Sequence, residues 1–232
     1  MAINVNTVYK TVLLILNQQQ RGYMTPDEFN KVATQVQLNI FEKYEDDLNQ
    51  QYRLSQNDTE YANRVKNIEE NLQFFQRTGA TAYAGPHFTI TPTDVYRLGS
   101  VFYNGTELTQ YAQRNELTQL LLSPLTQPTT DFPIYLYENN LLYVYPTSIQ
   151  SGITISYLKK PADVNWTYNV GALGQFIYDA GAVNAQNFEL NVSEQTNVIT
   201  RILSYAGVII NDPTIIQVAQ QETMQEEQNS KT

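Results

Sequence analysis

The apolar residues of this chain change their spacing twice, and this change constrains the fold more than any other feature. Near the start they recur at steps of three and four residues, which is the period of one helix face. Between about residue 88 and residue 160, β-branched residues and tyrosines dominate and charge is sparse, a pattern typical of strands. Helical spacing returns towards the end. The order helices, strands, helices predicts an α+β fold.

Two helices are predicted within the first 50 residues. The first covers residues 5–16, and the second is capped by Thr25, with Pro26 at its first position and Glu28 following. A Thr cap with a Glu three residues later forms a capping box, and Pro is favoured at the first helical position. The apolar stripe of the second helix consists of Phe29, Ala33, Val36, Ile40 and Tyr44.

A third helix is predicted from about Asp58 to Arg77, and Gly79 is expected to end it. Its apolar residues again fall at steps of three and four. They are Tyr61, Val65, Ile68, Leu72 and Phe75.

The middle of the chain predicts hairpins. Residues 95–103 lead into Asn104-Gly105, a dipeptide suited to the positive φ angles of a tight turn. A second hairpin is predicted where residues 134–137 and 141–145 flank Glu138-Asn139-Asn140. Apolar and polar residues alternate over 153–157, as in a strand with one buried face. A short helix is predicted at Arg114–Leu122.

The last part predicts helices again. Ser193 is the expected cap of one helix, Gly207 lies near its expected end, and Asp212-Pro213 is expected to start another. These elements predict three parts: an N-terminal helical part at 1–80, an inserted antiparallel β module at 81–165, and C-terminal helices with a tail at 166–232. The helices from the two ends are expected to form one bundle.

Composition and charge exclude several classes of protein. The chain has no Cys, so a disulfide, a thiol nucleophile and a zinc–cysteine site are excluded. The formal net charge of −9 argues against non-specific nucleic-acid binding, which needs clustered Lys and Arg. The apolar run at 12–16 is far too short to span a bilayer and does not resemble a secretory signal. We therefore expect no membrane partner.

No catalytic, cofactor-binding or metal-binding motif stands out. His87 is the only histidine, and no nucleophile motif accompanies it. The acidic cluster at 42–47, at the expected end of the second helix, lacks the spacing of a calcium loop. The glycines of 171–174 fit neither a dinucleotide fingerprint nor a phosphate loop. We therefore predict no catalytic residue, no cofactor and no metal.

The informative feature is the uncharged polar content. Only 16% of residues are charged, against about 25% in a typical domain. The balance comes from 23 Gln, 22 Asn and 24 Thr. Trp166 and the 17 tyrosines are suited to a sugar or peptide groove, but aromatic residues on short strands more often serve as core or interface anchors. This composition favours a subunit of an assembly.

Three stretches of the sequence resemble one family. They are Arg21-Gly22-Tyr23-Met24-Thr25-Pro26-Asp27-Glu28-Phe29-Asn30 running on to Tyr44, Tyr96-Arg97-Leu98-Gly99-Ser100-Val101 running on through Pro133-Ile134-Tyr135 and Val144-Tyr145-Pro146 to Pro161, and Phe188-Glu189-Leu190-Asn191-Val192-Ser193 running on to Asp212-Pro213. The family is that of the neck and tail ring proteins, the head-to-tail connectors, of short-tailed bacteriophages. The likeness is greatest to crAss-like phages.

The resemblance implies a structural protein of the virion neck or tail. Members form a ring, typically of twelve copies, stacked below the portal, and DNA passes through the lumen. The implied partners are further copies of the chain, the portal or an adjacent ring, and other tail proteins. We place the partner interface at Pro213, Ile215, Ile216 and Val218. A carbohydrate-active or host-binding tail protein is the alternative.

Overall fold

The structure is a computed structural model, and it describes residues 2–18, 23–53, 66, 68–210 and the single positions 217, 221, 224 and 225. It contains both helices and strands, so the chain is α+β as predicted. The chain divides into two compact units. The terminal unit combines residues 1–74 with 161–232, and the central unit is residues 75–160. None of the described helices combines the length and hydropathy that crossing a bilayer would require.

The terminal unit contains three described long helices and four short described strands. The helices are α1 (Val5–Gln18), α2 (Pro26–Arg53) and α4 (Gln195–Ile210), and the strands are β1 (Ala2–Ile3), β10 (Tyr168–Val170), β11 (Phe176–Tyr178) and β12 (Phe188–Asn191) together with the bridge of Asn165 to Gln186. Helix α4 packs against both α1 and α2. Strand β1 pairs antiparallel with β12, and β10 with β11.

The start of α2 confirms the predicted capping box. The Glu28 carboxylate accepts hydrogen bonds from the Thr25 backbone N–H at 2.9 Å and from the Thr25 hydroxyl at 2.7 Å. The Glu28 N–H donates back to Thr25 Oγ1 at 3.4 Å. These bonds hold the pKa of Glu28 below its usual value, because they stabilise the charged form of the carboxylate.

The central unit contains strands β2 (Gln76–Tyr83), β3 (Phe88–Ile90), β4 (Val95–Tyr103), β5 (Glu107–Leu108), β6 (Gln110–Tyr111), β7 (Ile134–Glu138), β8 (Leu141–Tyr145) and β9 (Ile153–Lys159), with helix α3 (Arg114–Leu122) between β6 and β7. They form one sheet in the order β5-β4-β9-β2-β3-β8-β7-β6. Both predicted hairpin turns are confirmed: φ is positive at Asn104 and Gly105, and at Asn139 and Asn140. Helix α3 has the predicted bounds.

A single residue joins β5 and β6, the strands at the two edges of this sheet. Thr109 alone separates β5 from β6 along the chain, so the backbone itself connects the two edges of the sheet. Thr109 is buried, and both its N–H and its hydroxyl donate to the Val101 carbonyl, at 2.9 Å and 2.8 Å. Short edge strands joined in this way leave little open edge for unwanted pairing.

The core of the central unit draws on both halves of the sheet. Val101 of β4 and Ile155 of β9 are fully buried with Leu142 and Val144 of β8. Strand β2 links the halves: its residues 76–80 pair with β9, and its residues 81–83 pair with β3. One apolar cluster therefore draws on both halves of the sheet, and a second cluster, of Ala112, Leu117, Ile134 and Leu136, packs α3 against β7.

One strand pair departs from the predicted antiparallel arrangement. Strands β6 and β7 are parallel. Parallel neighbours need a crossover of a dozen or more residues, usually with a helix, and residues 112–133 with α3 provide it.

The predicted third helix is wrong from residue 73 onward. Residues 68–72 are helical, but Gln76 already begins strand β2, and residues 58–65 lie outside the described part of the chain. Gly79 lies inside β2 and does not end a helix. A Cβ on Gly79 would lie 2.7 Å from Cγ of Pro92, so this residue permits a close approach between neighbouring segments.

Three further corrections concern helix bounds and the region after residue 165. Helix α2 runs to Arg53, so the acidic cluster at 42–47 lies inside the helix and not at its end. Strands β10, β11 and β12 occupy a region predicted to lead directly into helices. Helix α4 begins after a 3₁₀ turn at Val192–Glu194, where the Asn191 side chain accepts from the Ser193 N–H. Asn191 therefore caps the 3₁₀ turn, because its side-chain oxygen binds a free backbone N–H, and Ser193 lies inside that turn.

Replacement of Glu28 by Gln tests the capping box. The folded-state pKa of Glu28 is lowered, so its stabilisation is present above the unfolded pKa of about 4.3 and is lost as pH falls through the folded value. We expect Glu28→Gln to lower the free energy of unfolding by about 0.5 kcal/mol at pH 7. The difference from the parent should shrink below about pH 4, as measured by urea unfolding between pH 3 and pH 7. A difference that does not change with pH would contradict this explanation.

Replacement of Thr109 by Val tests the junction between the sheet edges. Valine keeps the shape but removes the buried hydroxyl, so we expect a loss of about 1 kcal/mol of unfolding free energy. Thr130→Val, at an exposed position, is the matched control and should change stability by less than about 0.5 kcal/mol. Equal effects of the two substitutions in denaturant unfolding would show that the Thr109 hydroxyl does not stabilise the junction.

Candidate functional site

Three side chains of α2 bind an extended segment at residues 162–166, and we call them the side-chain ladder. The Trp166 N–H donates to Asn30 Oδ1 at 2.7 Å, and Asn30 Nδ2 donates to the Trp166 carbonyl at 3.3 Å. The Val164 N–H donates to Thr34 Oγ1 at 3.1 Å. Gln37 Nε2 donates to the Ala162 carbonyl at 2.7 Å.

The ladder can form because one turn of the helix rises by nearly the length of two extended residues. Asn30, Thr34 and Gln37 lie on one face of α2, since they are spaced by four and three residues. Four helical residues rise about 6 Å, and two extended residues span about 6.6 Å. Alternate residues of the segment can therefore meet successive turns of the helix. Side chains here provide the pairing that a neighbouring strand would provide in a sheet.

Gln37 also ties β12 into this arrangement. Its Oε1 accepts from the Glu189 N–H at 2.8 Å, and the Glu189 carboxylate accepts from the Ala162 N–H at 2.9 Å. Only 1% of Gln37 is exposed. One buried amide thus links α2, the extended segment and the strand that precedes α4.

The ladder places Trp166 within an aromatic cluster. The Trp166 ring is 4.4 Å from the Tyr9 ring, centroid to centroid, and its Nε1–H donates to Asn6 Oδ1 at 3.1 Å. Its plane lies within 24° of the rings of Tyr168 and Tyr178, at centroid distances of 5.8 Å and 5.6 Å. Burial raises the pKa of Tyr9, and hydrogen bonding to Tyr23 adds to the shift.

A cleft of about 810 Å³ opens beside this cluster, and we call it the aromatic cleft. Its lining residues come from α1, from Tyr23, from Trp166 and from β11 with the turn before it. They are Asn6, Tyr9, Lys10, Leu13, Tyr23, Trp166, Gly174, Gln175, Phe176, Ile177 and Tyr178. Lys10 is the only charged residue among the described residues of this lining. The cleft is therefore suited to an apolar or aromatic group that brings at most one negative charge.

Exposed apolar side chains surround the β10–β11 hairpin, and we call this set the hairpin surface. Leu173 at the hairpin turn is 93% exposed. The other members are Val170, Ile177 and Val183. Clustered exposed apolar residues typically mark an interaction surface.

A second apolar surface lies on the central unit, and we call it the loop surface. It comprises Leu122 at the end of α3 with Leu125 and Phe132 in the loop before β7. Leu125 is 98% exposed and Phe132 is 79% exposed. Each unit of the chain therefore carries its own exposed apolar surface.

The residues considered for chemistry lie apart from one another. His87 has its ring 5.7 Å from that of Tyr143 in the central unit. The acidic cluster lies on α2, and Gly171 and Gly174 form the turn between β10 and β11. Within the described ranges, no three His, Cys, Asp or Glu residues are placed to hold a metal ion.

The structure does not describe the predicted partner interface, and it shows a ladder that the sequence analysis did not predict. Pro213, Ile215, Ile216 and Val218 lie outside the described residues. The ladder was not predicted, although its spacing on one face of α2 was a usable signal. Trp166, considered for a groove, is 97% buried in the cluster and borders the cleft with one side.

Comparison with protein-family models and with curated proteins found no match for this chain.

Replacement of Gln37 by Leu tests the ladder. The substitution leaves the Ala162 carbonyl and the Glu189 N–H without their partner in a buried place, so we expect a loss of about 2–4 kcal/mol of unfolding free energy. Gln35→Leu, two residues away at an exposed position of the same helix, is the matched control with an expected change within about 0.5 kcal/mol. Comparable losses in the two variants under denaturant unfolding would refute the role of Gln37.

Proposed function

We propose that this chain is a structural subunit of a closed ring in the neck or tail of a short-tailed bacteriophage. The ring joins the capsid to the tail and extends the channel through which DNA passes. The observation that carries the proposal is the presence of two different exposed apolar surfaces, one on each unit. The sequence resemblance to neck and tail ring proteins supplies the class of assembly.

A ring requires a heterologous interface, in which one surface of a subunit meets a different surface of the next. The hairpin surface and the loop surface are different in sequence and in structure, so they meet this requirement. In the proposed subunit, the helices of the terminal unit form a bundle, and the central unit is a β module inserted into it. Each part then contributes one side of the contact.

The charge of the chain supports passage of DNA through the lumen. A net charge of −9 over 232 residues leaves few Lys and Arg to bind phosphates. A basic lining would retain DNA by counterion release, whereas a neutral or acidic lining repels it. The proposed location is therefore the virion, with the portal or an adjacent ring and other tail proteins as partners.

The aromatic cleft gives less support to a glycoside hydrolase. That chemistry uses a pair of carboxyl groups across the scissile bond. Among the described residues that line the cleft, none is Asp or Glu. We therefore propose an assembly function in place of an enzymatic one.

Electron microscopy and mass photometry of the full chain mixed with the portal of the same phage test this proposal. We expect closed rings of about twelve copies on the portal. Leu173→Glu and Leu125→Glu should each prevent ring closure, because each places a charge in an apolar contact. Gln35→Glu, an equal change of charge at an exposed position outside both surfaces, should leave the rings intact. A parent chain that stays monomeric in the presence of the portal would overturn the proposal.

A further inference from the structure

We propose that the loop at 123–133 of one copy docks into the aromatic cleft of the next copy, with Phe132 in the cleft and Asp131 beside Lys10. This inference rests on the proposed function and names the contact through which the ring would close. It assigns a role to the exposed Phe132 of the loop and to the aromatic cleft.

The loop is ordered by its own hydrogen bonds. The Phe132 N–H donates to the Thr129 carbonyl at 3.2 Å, and the Thr126 N–H donates to the Ser123 carbonyl at 3.2 Å. Gln127 Nε2 donates to the Leu121 carbonyl at 3.1 Å, which fastens the loop to the end of α3. A loop already held in one conformation loses little entropy on binding.

The apolar side chains of this ordered loop point into solvent. Phe132 and Leu125 are 79% and 98% exposed although the backbone around them is bonded. Aromatic anchors that fill a pocket on the partner supply much of the binding energy at protein interfaces. Phe132 is such an anchor, and it has no described pocket within the loop itself.

The cleft offers a matching receptor. Its floor is formed by the closely packed rings of Tyr9 and Trp166, and Phe176 and Ile177 stand exposed at its side. Its volume of about 810 Å³ exceeds that of one aromatic side chain, so Phe132 can enter with part of its flanking backbone. Aromatic rings in such contacts favour offset or edge-to-face packing.

The charges of loop and cleft are complementary. Asp131 is the only charged residue in the loop at 123–133. Lys10 is the only charged residue among the described cleft residues. Docking of Phe132 brings its neighbour Asp131 to the rim of the cleft, where a charge pair mainly fixes register and partner choice.

A second copy is the occupant that these features favour. The loop belongs to the central unit and the cleft to the terminal unit, so the same contact repeated from copy to copy is heterologous. A heterologous contact closes into a ring when its rotation permits. The chain therefore carries both halves of the contact that its proposed function needs.

Reversing the two charges tests the pairing in the full chain with the portal. Lys10→Glu and Asp131→Lys alone should each raise the concentration for half-maximal ring formation about tenfold, because each contact then joins like charges. The double variant should assemble as the parent does. An equimolar mixture of the two single variants should also assemble, because alternating copies restore opposite charges at every contact. Full assembly of either single variant, or failure of both the mixture and the double variant, would overturn the inference.

Engineered cysteines give a second readout that does not depend on ring closure. The parent chain has no Cys, so Phe132→Cys and Ile177→Cys introduce the only thiols. Under mild oxidation, a mixture of the two single variants should form a disulfide-linked heterodimer. Phe132→Cys mixed with Gln35→Cys, whose position lies outside the cleft, should not.

The outcomes separate this inference from the proposed function. Rings without the heterodimer would overturn the loop-to-cleft contact and leave the ring proposal standing. A heterodimer without rings would support the contact and overturn the ring. A disulfide formed within a single chain by the Phe132→Cys/Ile177→Cys double variant would show that the loop occupies its own cleft, and this would also overturn the inference.

Discussion

The side-chain ladder from α2 to residues 162–166 is the interaction on which the terminal unit depends. That unit is assembled from two stretches of chain separated by the whole central unit. Asn30, Thr34 and Gln37 bind main-chain groups 125 to 136 residues away. Buried main-chain groups must be paired, and here amide and hydroxyl side chains pair them. Trp166 and the aromatic cleft take their positions from this ladder.

The ladder also changes the interpretation of the composition. The abundance of Asn, Gln and Thr favoured an assembly subunit because such residues leave a surface weakly charged. The structure shows that some of them work inside the subunit, where Gln37 is buried and Thr109 joins the two edges of the sheet. A neutral polar side chain can pair a buried backbone group without the cost of burying a charge. The proposal that the chain is an assembly subunit therefore rests on the exposed apolar surfaces.

Local signals in the sequence predicted local structure well. The Thr25–Glu28 capping box, the Asn104-Gly105 turn and the bounds of α3 each depend on a few adjacent residues, and all are confirmed. The predicted third helix extends into the first two residues of β2 because Ile68, Leu72 and Phe75 have helical spacing up to the start of that strand. Strands β10 and β11 are three residues long, too short for alternation to show. The ladder and the cleft depend on contacts between distant residues, which spacing along one segment does not reveal.

We propose that this chain works by shape, through repeated contact with its own copies around a DNA channel. A cryo-EM reconstruction of the virion that carries the chain tests this most directly. We expect a closed ring of this polypeptide between capsid and tail, with residues 123–133 of each copy in contact with the terminal unit of its neighbour. Density that places the chain as isolated subunits or as a fibre at the tail tip, or a virion that lacks it, would contradict the account.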